Sequence, residues 1–488
     1  MARLKNLGYA KMLTNWAAKV PQRIPIHGRF VRAEPLDIKK HVDELYELHT
    51  WPGNWDLFRG LLLWRPPRSR EKFEENLQKL VENEASETDL NYVCINRETG
   101  RIVAQRSYLQ INPKHSTIEL GRAFTFLKGP RSRINVEIQW LLINHAFELG
   151  YRRIHFMDVV SNSASNKALE DFGNQYEGVH RNMQMKQDEY YDYNKIVEEN
   201  DMVITTILSS EWPLLRRIVE EWMDDSNVDQ NGQPIQQYED IRNRVFAEAN
   251  VTFRNTPEIY KTPNTIPERY RYYPLPRLPD KKILDGIYVK LEPLEQWHFD
   301  CLYQTIGNPN DVQNFSLSRP KKWQRDFGAW YMKDHDWASK YCYAIIDKNN
   351  NHVYGWMRFC DVIVDHGTLG IKAHLNKQYL QSPRIVEAIY MLCRYAFDIL
   401  KYRRLEWVVN NNNVLAKDFV QRHGFLFESI LRQYQIKDGE NIDAAVFAIT
   451  DVDWSKLRPV YEEWLAKVQF SGDGNDIIDV RDQDKYKL

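Results

Sequence analysis

The chain has 488 residues, with 66 Lys+Arg against 67 Asp+Glu for a formal charge of -1, and 43% of its residues are hydrophobic. This is the composition of ordinary globular domains, two or three of them at this length, and it excludes a disordered chain, a fibre and a multi-spanning membrane protein. Balanced charge also removes the global basic field that nucleic acid calls for, so neither nucleic acid nor membrane is expected as a partner.

From Met1 to Ala33 there is no Asp or Glu, while Arg3, Lys5, Lys11, Lys19, Arg23, Arg29 and Arg32 are basic. Residues 1–28 read as a basic N-terminal extension; a cytoplasmic location is expected, with a mitochondrial one as the alternative for an acid-free start. A strand is predicted around Phe30–Glu34, then helices near Ile38–Leu48 and Glu71–Glu84. Asn91–Ile95 and Ile102–Leu109 read as strands joined by a hairpin signal at Asn96-Arg97-Glu98-Thr99-Gly100. Another strand follows at Ser116–Phe126. Ile138, Leu141, Leu142, Ile143, Ala146, Phe147 and Leu149 then recur at helical spacing. A strand at Arg153–Val159, a helix at Ser165–Phe172 and a closing hairpin complete the unit. Prolines at 257, 263, 267, 274, 276 and 279 mark residues 226–282 as a Pro/Tyr-rich linker of mainly extended chain. The five cysteines form no CxxC pair and the histidines show no ligand spacing, so no metal is expected.

The unit then repeats. Gly28-Arg29-Phe30-Val31-Arg32-Ala33-Glu34-Pro35-Leu36 returns as Gly286-Ile287-Tyr288-Val289-Lys290-Leu291-Glu292-Pro293-Leu294. Tyr151-Arg152-Arg153-Ile154 returns as Tyr402-Arg403-Arg404-Leu405, and Glu220-Glu221-Trp222 as Glu462-Glu463-Trp464. The predicted organisation is a first domain at 29–225, the linker, a second domain at 283–470 and a polar tail at 471–488. The fold class is α+β (mixed α/β), each domain a mostly antiparallel sheet with helices on both faces.

The Arg-x-Glu-Pro-Leu-like first strand, Thr117-Ile118-Glu119-Leu120-Gly121 before the main helix, Tyr-Arg-Arg-Ile after it, and Asn162-Ser163-Ala164-Ser165 ahead of Gly173 resemble the GNAT acetyl-CoA-dependent N-acetyltransferases, and most of all the RimJ/RimL-type branch. The resemblance covers roughly 29–223 and 288–465 and implies a pseudo-dimer of two GNAT domains in one chain. In that family an amine attacks the thioester of acetyl-CoA directly, so the enzyme needs a base, a grip on the cofactor and a group near the departing sulfur. The resemblance puts Glu119 at the base position, Ser165 near the sulfur and Asn162 on the cofactor arm, which would run along Ala123, Phe124 and Thr125 as an added strand. As a base, Glu119 needs a raised pKa.

The diphosphate would sit at the start of the main helix, on Arg131, Ser132, Arg133, Ile134 and Asn135. There the chain departs from the family loop, Gln/Arg-x-x-Gly-x-Gly/Ala: both small positions carry side chains, and Arg131 and Arg133 are expected to compensate by pairing with phosphate oxygens. In the second domain Ser165 is matched by Ala416 and Glu119 by Gly370 or Thr368, so that domain is expected to be inactive. The late hairpin is about nine residues longer in the first domain and holds Asp188, Glu189, Asp192, Glu198, Glu199 and Asp201, which fits a cationic amine acceptor. Trp51, Trp55, Phe58 and Trp64 read as core or as lining of the acceptor pocket. The alternative class is a catalytically inactive tandem protein kept as a binding module.

Overall fold

The structure, a computed structural model, describes residues 17–54, 67, 69–127, 132–187, 196–231, 233–252, 257, 269–272, 276–306, 312–314, 341–437 and 439–471. The first part of the extension, Trp55, Phe58, Trp64, Arg131, the hairpin tip at 188–195 and nearly all of the tail lie outside these residues. The chain forms two compact units. Unit 1 comprises Met1–Gly178, Met202–Pro267 and Gln433–Asn441; unit 2 comprises Val179–Asp201, Glu268–Arg432 and Ile442–Leu488. Each is a mixed α/β structure. Among the described residues no helix is long and apolar enough to cross a membrane.

Unit 1 runs β1 (Ile26–His27), β2 (Val31–Pro35), α1 (Ile38–Thr50), α2 (Arg70–Asn83), β3 (Leu90–Asn96), β4 (Ile102–Asn112), β5 (Thr117–Thr125), α3 (Arg133–Glu148), β6 (Arg153–Val159), α4 (Ser163–Phe172), the start of β7 (Gln175–Gln187), the end of β8 (Ile196–Leu208), α5 (Trp212–Met223) and α6 (Tyr238–Ala249). Strands β2 to β5 pair antiparallel in order, β5 and β6 are parallel, and β8 closes antiparallel on β6. Alternation along β3 feeds two cores. Tyr92 and Cys94 pack with Ile138, Leu141 and Leu142 of α3, and Val93 and Ile95 with Val42, Leu45, Phe73 and Leu77 of α1 and α2. The sheet therefore carries helices on both faces.

One correction concerns the linker. Its first half is not extended: α6 buries Tyr238, Ile241 and Val245 in the unit 1 core, and the Tyr238 hydroxyl donates to the Phe172 carbonyl at 3.0 Å. The prolines that coloured the region begin only at 257, and the i, i+3, i+7 apolar spacing before them is helical.

Unit 2 continues with β9 (Arg269–Tyr272), β10 (Leu284–Asp285), β11 (Val289–Pro293), α7 (His298–Ile306), β12 (Val312–Asn314), β13 (Cys342–Asp347), β14 (Val353–Ile363), β15 (Thr368–Asn376), α8 (Pro383–Arg394), β16 (Arg404–Asn410), α9 (Val414–Arg422), β17 (Leu426–Lys437), β18 (Glu440–Thr450) and α10 (Asp451–Ser471). Strands β11, β13, β14 and β15 pair antiparallel, β15 and β16 are parallel, and β18 returns antiparallel on β16.

The recurring motifs have the same structural work in each unit. Glu137 of α3 accepts the backbone N–H groups of Arg29, Phe30 and Val31 at 2.6, 2.6 and 2.7 Å. Glu387 of α8 accepts those of Ile287, Tyr288 and Val289 at 2.5, 2.7 and 2.9 Å. Gly28 and Gly286 are required beside them: a Cβ there would stand 2.8 and 2.7 Å from the carboxyl carbons. In Tyr-Arg-Arg, Arg152 Nε donates to the His115 carbonyl and Arg403 Nε to the His366 carbonyl. The second arginine makes a buried charge pair, Arg153 with Glu177 at 2.8 Å and Arg404 with Glu428 at 2.7 Å.

Candidate active site

The sheet of unit 1 opens at β5. Gln105 of β4 faces Phe124 and Ser107 faces Gly121, so β5 fits three steps against two and bulges, with Arg122 at φ 47°. On its other side β5 pairs with β6 only over Thr117–Glu119, opposite Arg153–His155. Past Glu119 no strand pairs with that side among the described residues. The bulged half presents Ala123 exposed and Phe124 buried, and buried Arg106 donates to the Phe124 carbonyl and the Thr125 hydroxyl at 2.7 and 2.8 Å.

Glu119 stands where the two strands part. Its carboxyl is 5% exposed and accepts Gln110 Nε2 at 2.7 Å. Burial pushes it up to about 8, against the pull of the Arg122 guanidinium and the Gln110 amide and with some help from Asp89. His155, its register partner, brings Nε2 to 3.7 Å from Glu119 Oε2. Burial and the Arg153 charge lower that imidazole to about 3, so it is neutral at ordinary pH. A buried carboxyl that titrates near neutrality beside a neutral imidazole is suited to taking a proton from an amine.

The other end of β6 carries the remaining polar groups. Asn162 caps α4, its Oδ1 accepting Ser165 N at 3.3 Å. Its Nδ2 donates to Asp158 Oδ1 at 3.1 Å, which also accepts Val159 N at 2.8 Å. Asp158 is raised to about 7 by burial, held from rising further by the Ser165 hydroxyl, the Val159 N–H and the Asn162 amide. The structure thus joins Asn162 to Ser165 and adds Asp158 and His155, which the sequence reading passed over. His155 and Asp158 stand three apart on β6 and so take opposite faces, which is why no strand periodicity tied them to one site.

At the start of α3, Ser132 is the cap and its Oγ accepts Asn135 N at 3.2 Å. Ile134 packs on the unit 1 core. Arg133 has a partner already: NH1 reaches Asp225 Oδ1 at 3.1 Å, NH2 donates to the Asp224 carbonyl at 2.7 Å, and the guanidinium lies 5.7 Å from the Phe30 ring centre. Arg29 shares Asp225, and the two arginines hold that carboxyl below its usual range. Trp51 is 61% exposed, so it is not core. Of the acidic hairpin, Asp201 is described and accepts Asn182 N at 2.8 Å.

Unit 2 differs at each of these points. Thr368 faces Arg404 and Gly370 faces Glu406, so register assigns Gly370, not Thr368, to the Glu119 position. Strand β15 runs from Cys360↔Gly370 to Gly355↔Leu375 without the extra residue. Its far end is also paired on the other side, by β12 through Val312↔Asn376, Gln313↔Leu375 and Asn314↔His374. Asn413 still caps α9, its side chain accepting Ala416 N at 3.1 Å. A cavity of about 260 Å³ lies between the turn before α8 and α9, lined by residues that include Lys377, Gln381, Leu415, Phe419 and Arg422.

Comparison with known proteins adds three findings. Residues 289–426 match the Acetyltransferase (GNAT) domain, so the chain carries a domain of that kind over this stretch. No curated protein matches the chain. Among solved structures it is similar to a GCN5-related N-acetyltransferase from Brucella melitensis (28% identity, 47% of this chain and 99% of that one, TM-score 0.43). It is also similar to a probable acetyltransferase of the GNAT family from Chromobacterium violaceum (26%, 41% and 93%, 0.35) and to RimL, a ribosomal L7/L12 alpha-N-protein acetyltransferase (19%, 38% and 94%, 0.32).

Proposed function

We propose that this is a tandem GNAT protein of the RimJ/RimL type whose first unit moves an acetyl group from acetyl-CoA to a primary amine, a protein N-terminus or a small cationic amine, in the cytoplasm. The observation that carries the reading is Glu119: a buried carboxyl raised to about 8, seated where a bulged strand leaves its neighbour.

The residues fit the co-substrate in one respect above all. The bulged half of β5 keeps one edge without a partner strand among the described residues, as an extended arm pairing along Ala123–Thr125 requires. The backbone N–H groups at the Ser132 cap are suited to a diphosphate, with Arg133 beside them once it exchanges Asp225 for phosphate. Acetyl-CoA supplies the thioester. Glu119 takes a proton from the amine, Asn162 orients the arm, and the Ser165 hydroxyl faces the departing sulfur. The second unit is read as catalytically silent, since Gly370 and Ala416 bring neither carboxyl nor hydroxyl.

Titration calorimetry with acetyl-CoA and with CoA tests this. Micromolar binding to the wild type that weakens at least tenfold in Arg133→Ala is expected; no binding at millimolar ligand overturns it. A second reading, a binding module without turnover, is favoured by the Arg133–Asp225 pair. It is told apart by the absence of CoA binding at millimolar ligand in a chain that melts cooperatively.

A further inference from the structure

The Asp158, Asn162 and Ser165 cluster carries an inference that rests on the proposed transfer reaction and goes beyond it. We propose that Asp158 is a positioning residue that works through Ser165, aiming its hydroxyl and renewing the proton that this hydroxyl gives up.

The first support is local geometry. Strand β6 delivers Asp158 to the base of α4, where its carboxyl meets Val159 N at 2.8 Å, Asn162 Nδ2 at 3.1 Å and the Ser165 hydroxyl. The groups acting on it come from its own strand and from α4; across the sheet β8 offers Val203, which is apolar and buried. A carboxyl in such a place titrates near neutrality and can serve as either acceptor or donor.

The second support is a paired replacement. With Arg153 matched to Arg404 by register and Gly173 to Gly424 in sequence, Asp158 corresponds to Val409, Asn162 to Asn413 and Ser165 to Ala416. The cap survives, since Asn413 holds Ala416 N as Asn162 holds Ser165 N. Both members of the acid–hydroxyl pair are absent together, and Val409 and Ala416 are fully buried. Capping alone needs neither Asp158 nor Ser165. A joint function explains why a carboxyl is kept in unit 1 where unit 2 is content with valine.

The proton balance closes. As the C–N bond forms and the C–S bond breaks with its electron pair on sulfur, Ser165 gives its proton to sulfur and protonated Asp158 replaces it. The proton lost by nitrogen goes to Glu119. Glu119 then releases a proton to water and Asp158 takes one up, leaving no net change.

The test is a cycle of Asp158→Asn, Ser165→Ala and the double variant in the full chain, with kcat, KM and pH profile read for each. Each single variant is expected to lose about tenfold in kcat with KM for acetyl-CoA within twofold, and the double variant to lose no more than either. Asp158→Asn should also remove a limb near pH 7. Multiplied losses in the double variant, or an unchanged profile, overturn the proposal. Asp158→Val with Ser165→Ala copies the pair that unit 2 already folds with, and guards against a loss caused by misfolding. A readout without turnover is the carboxyl 13C titration of Asp158: Ser165→Ala should shift its midpoint upward, because a hydrogen bond to the charged form is lost. An unmoved midpoint sinks the pair even if the chain transfers acetyl. A wild type without transfer and with a shifted midpoint sinks the reaction instead.

Discussion

Strand β5 holds one more residue against β4 than β15 holds against β14, and the two units diverge from there. In unit 1 the extra residue lets the strand bend away beyond Glu119 and leaves an edge that an extended ligand can share. In unit 2 the equivalent strand runs straight, β12 lies along its end, and Gly370 holds the register position that Glu119 holds in unit 1. Yet it is residues 289–426, in the unit with the straight strand, that match the GNAT domain. Family likeness is carried by the positions that build the sheet and its helices, whereas activity depends on a few groups that drift without disturbing them.

The sharpest way to break this contrast is to remove the carboxyl. Glu119→Gln should lower acetyl transfer by about 10²–10⁴-fold, the range for losing a general base, while Glu406→Gln, the nearest carboxyl by register in unit 2, stays within twofold. Equal losses measured in steady-state assays would return unit 2 to the chemistry. Next in size is a stability effect on which the units should agree. Glu137→Ala and Glu387→Ala each strand one buried N–H, that of Val31 or Val289, beside two that water can reach, and each should cost roughly 1–3 kcal/mol in denaturant melts. If only one of them matters, the shared scaffold is not shared.

A smaller effect comes from pH. Glu119 must be ionised to accept a proton, so kcat/KM should fall about tenfold per unit below pH 8, and in Asp158→Asn, which lacks the limb near pH 7, it should level off above pH 8. Linkage gives a second sign to check. A carboxyl raised from 4.5 to about 8 stabilises the fold in its protonated form, fully below pH 4.5 and progressively less as pH rises through 8. Glu119→Gln should therefore gain in melting temperature over the wild type between pH 5 and pH 9. The smallest expected change is Gly370→Ala, where the new Cβ meets Cys360 Sγ at 3.0 Å: less than about 1 kcal/mol, and no change in rate.

Much of the architecture could be read in advance because local signals are strong where burial is one-sided. The apolar stripe of α3, the Asn96–Gly100 turn and the cap at Asn162 each announce themselves within a few residues. Glu119 was legible only through the family resemblance of the Thr117–Gly121 stretch, not through a local signal of this kind. What stayed hidden depends on partners far along the chain. Arg133 is claimed by Asp225, His155 meets Glu119 only through a parallel crossover, and β12 finds β15 across sixty residues or more. Helix α6 was obscured by composition, since prolines downstream outweighed three apolar residues at helical spacing. The bulge at Arg122 stayed hidden too, because it is defined by the pairing of β5 with β4.

The clasp that Glu137 and Glu387 make on the turn before each first strand has a practical bearing on where the polypeptide can be cut. A fragment that starts after Val31, or after Val289 in the later half, would retain an acidic side chain in its interior with its three amide donors amputated. Truncation series and tag removal should therefore keep the glycine and its three followers, and limited proteolysis should find this hinge-like turn protected although it lies near the start of its fold.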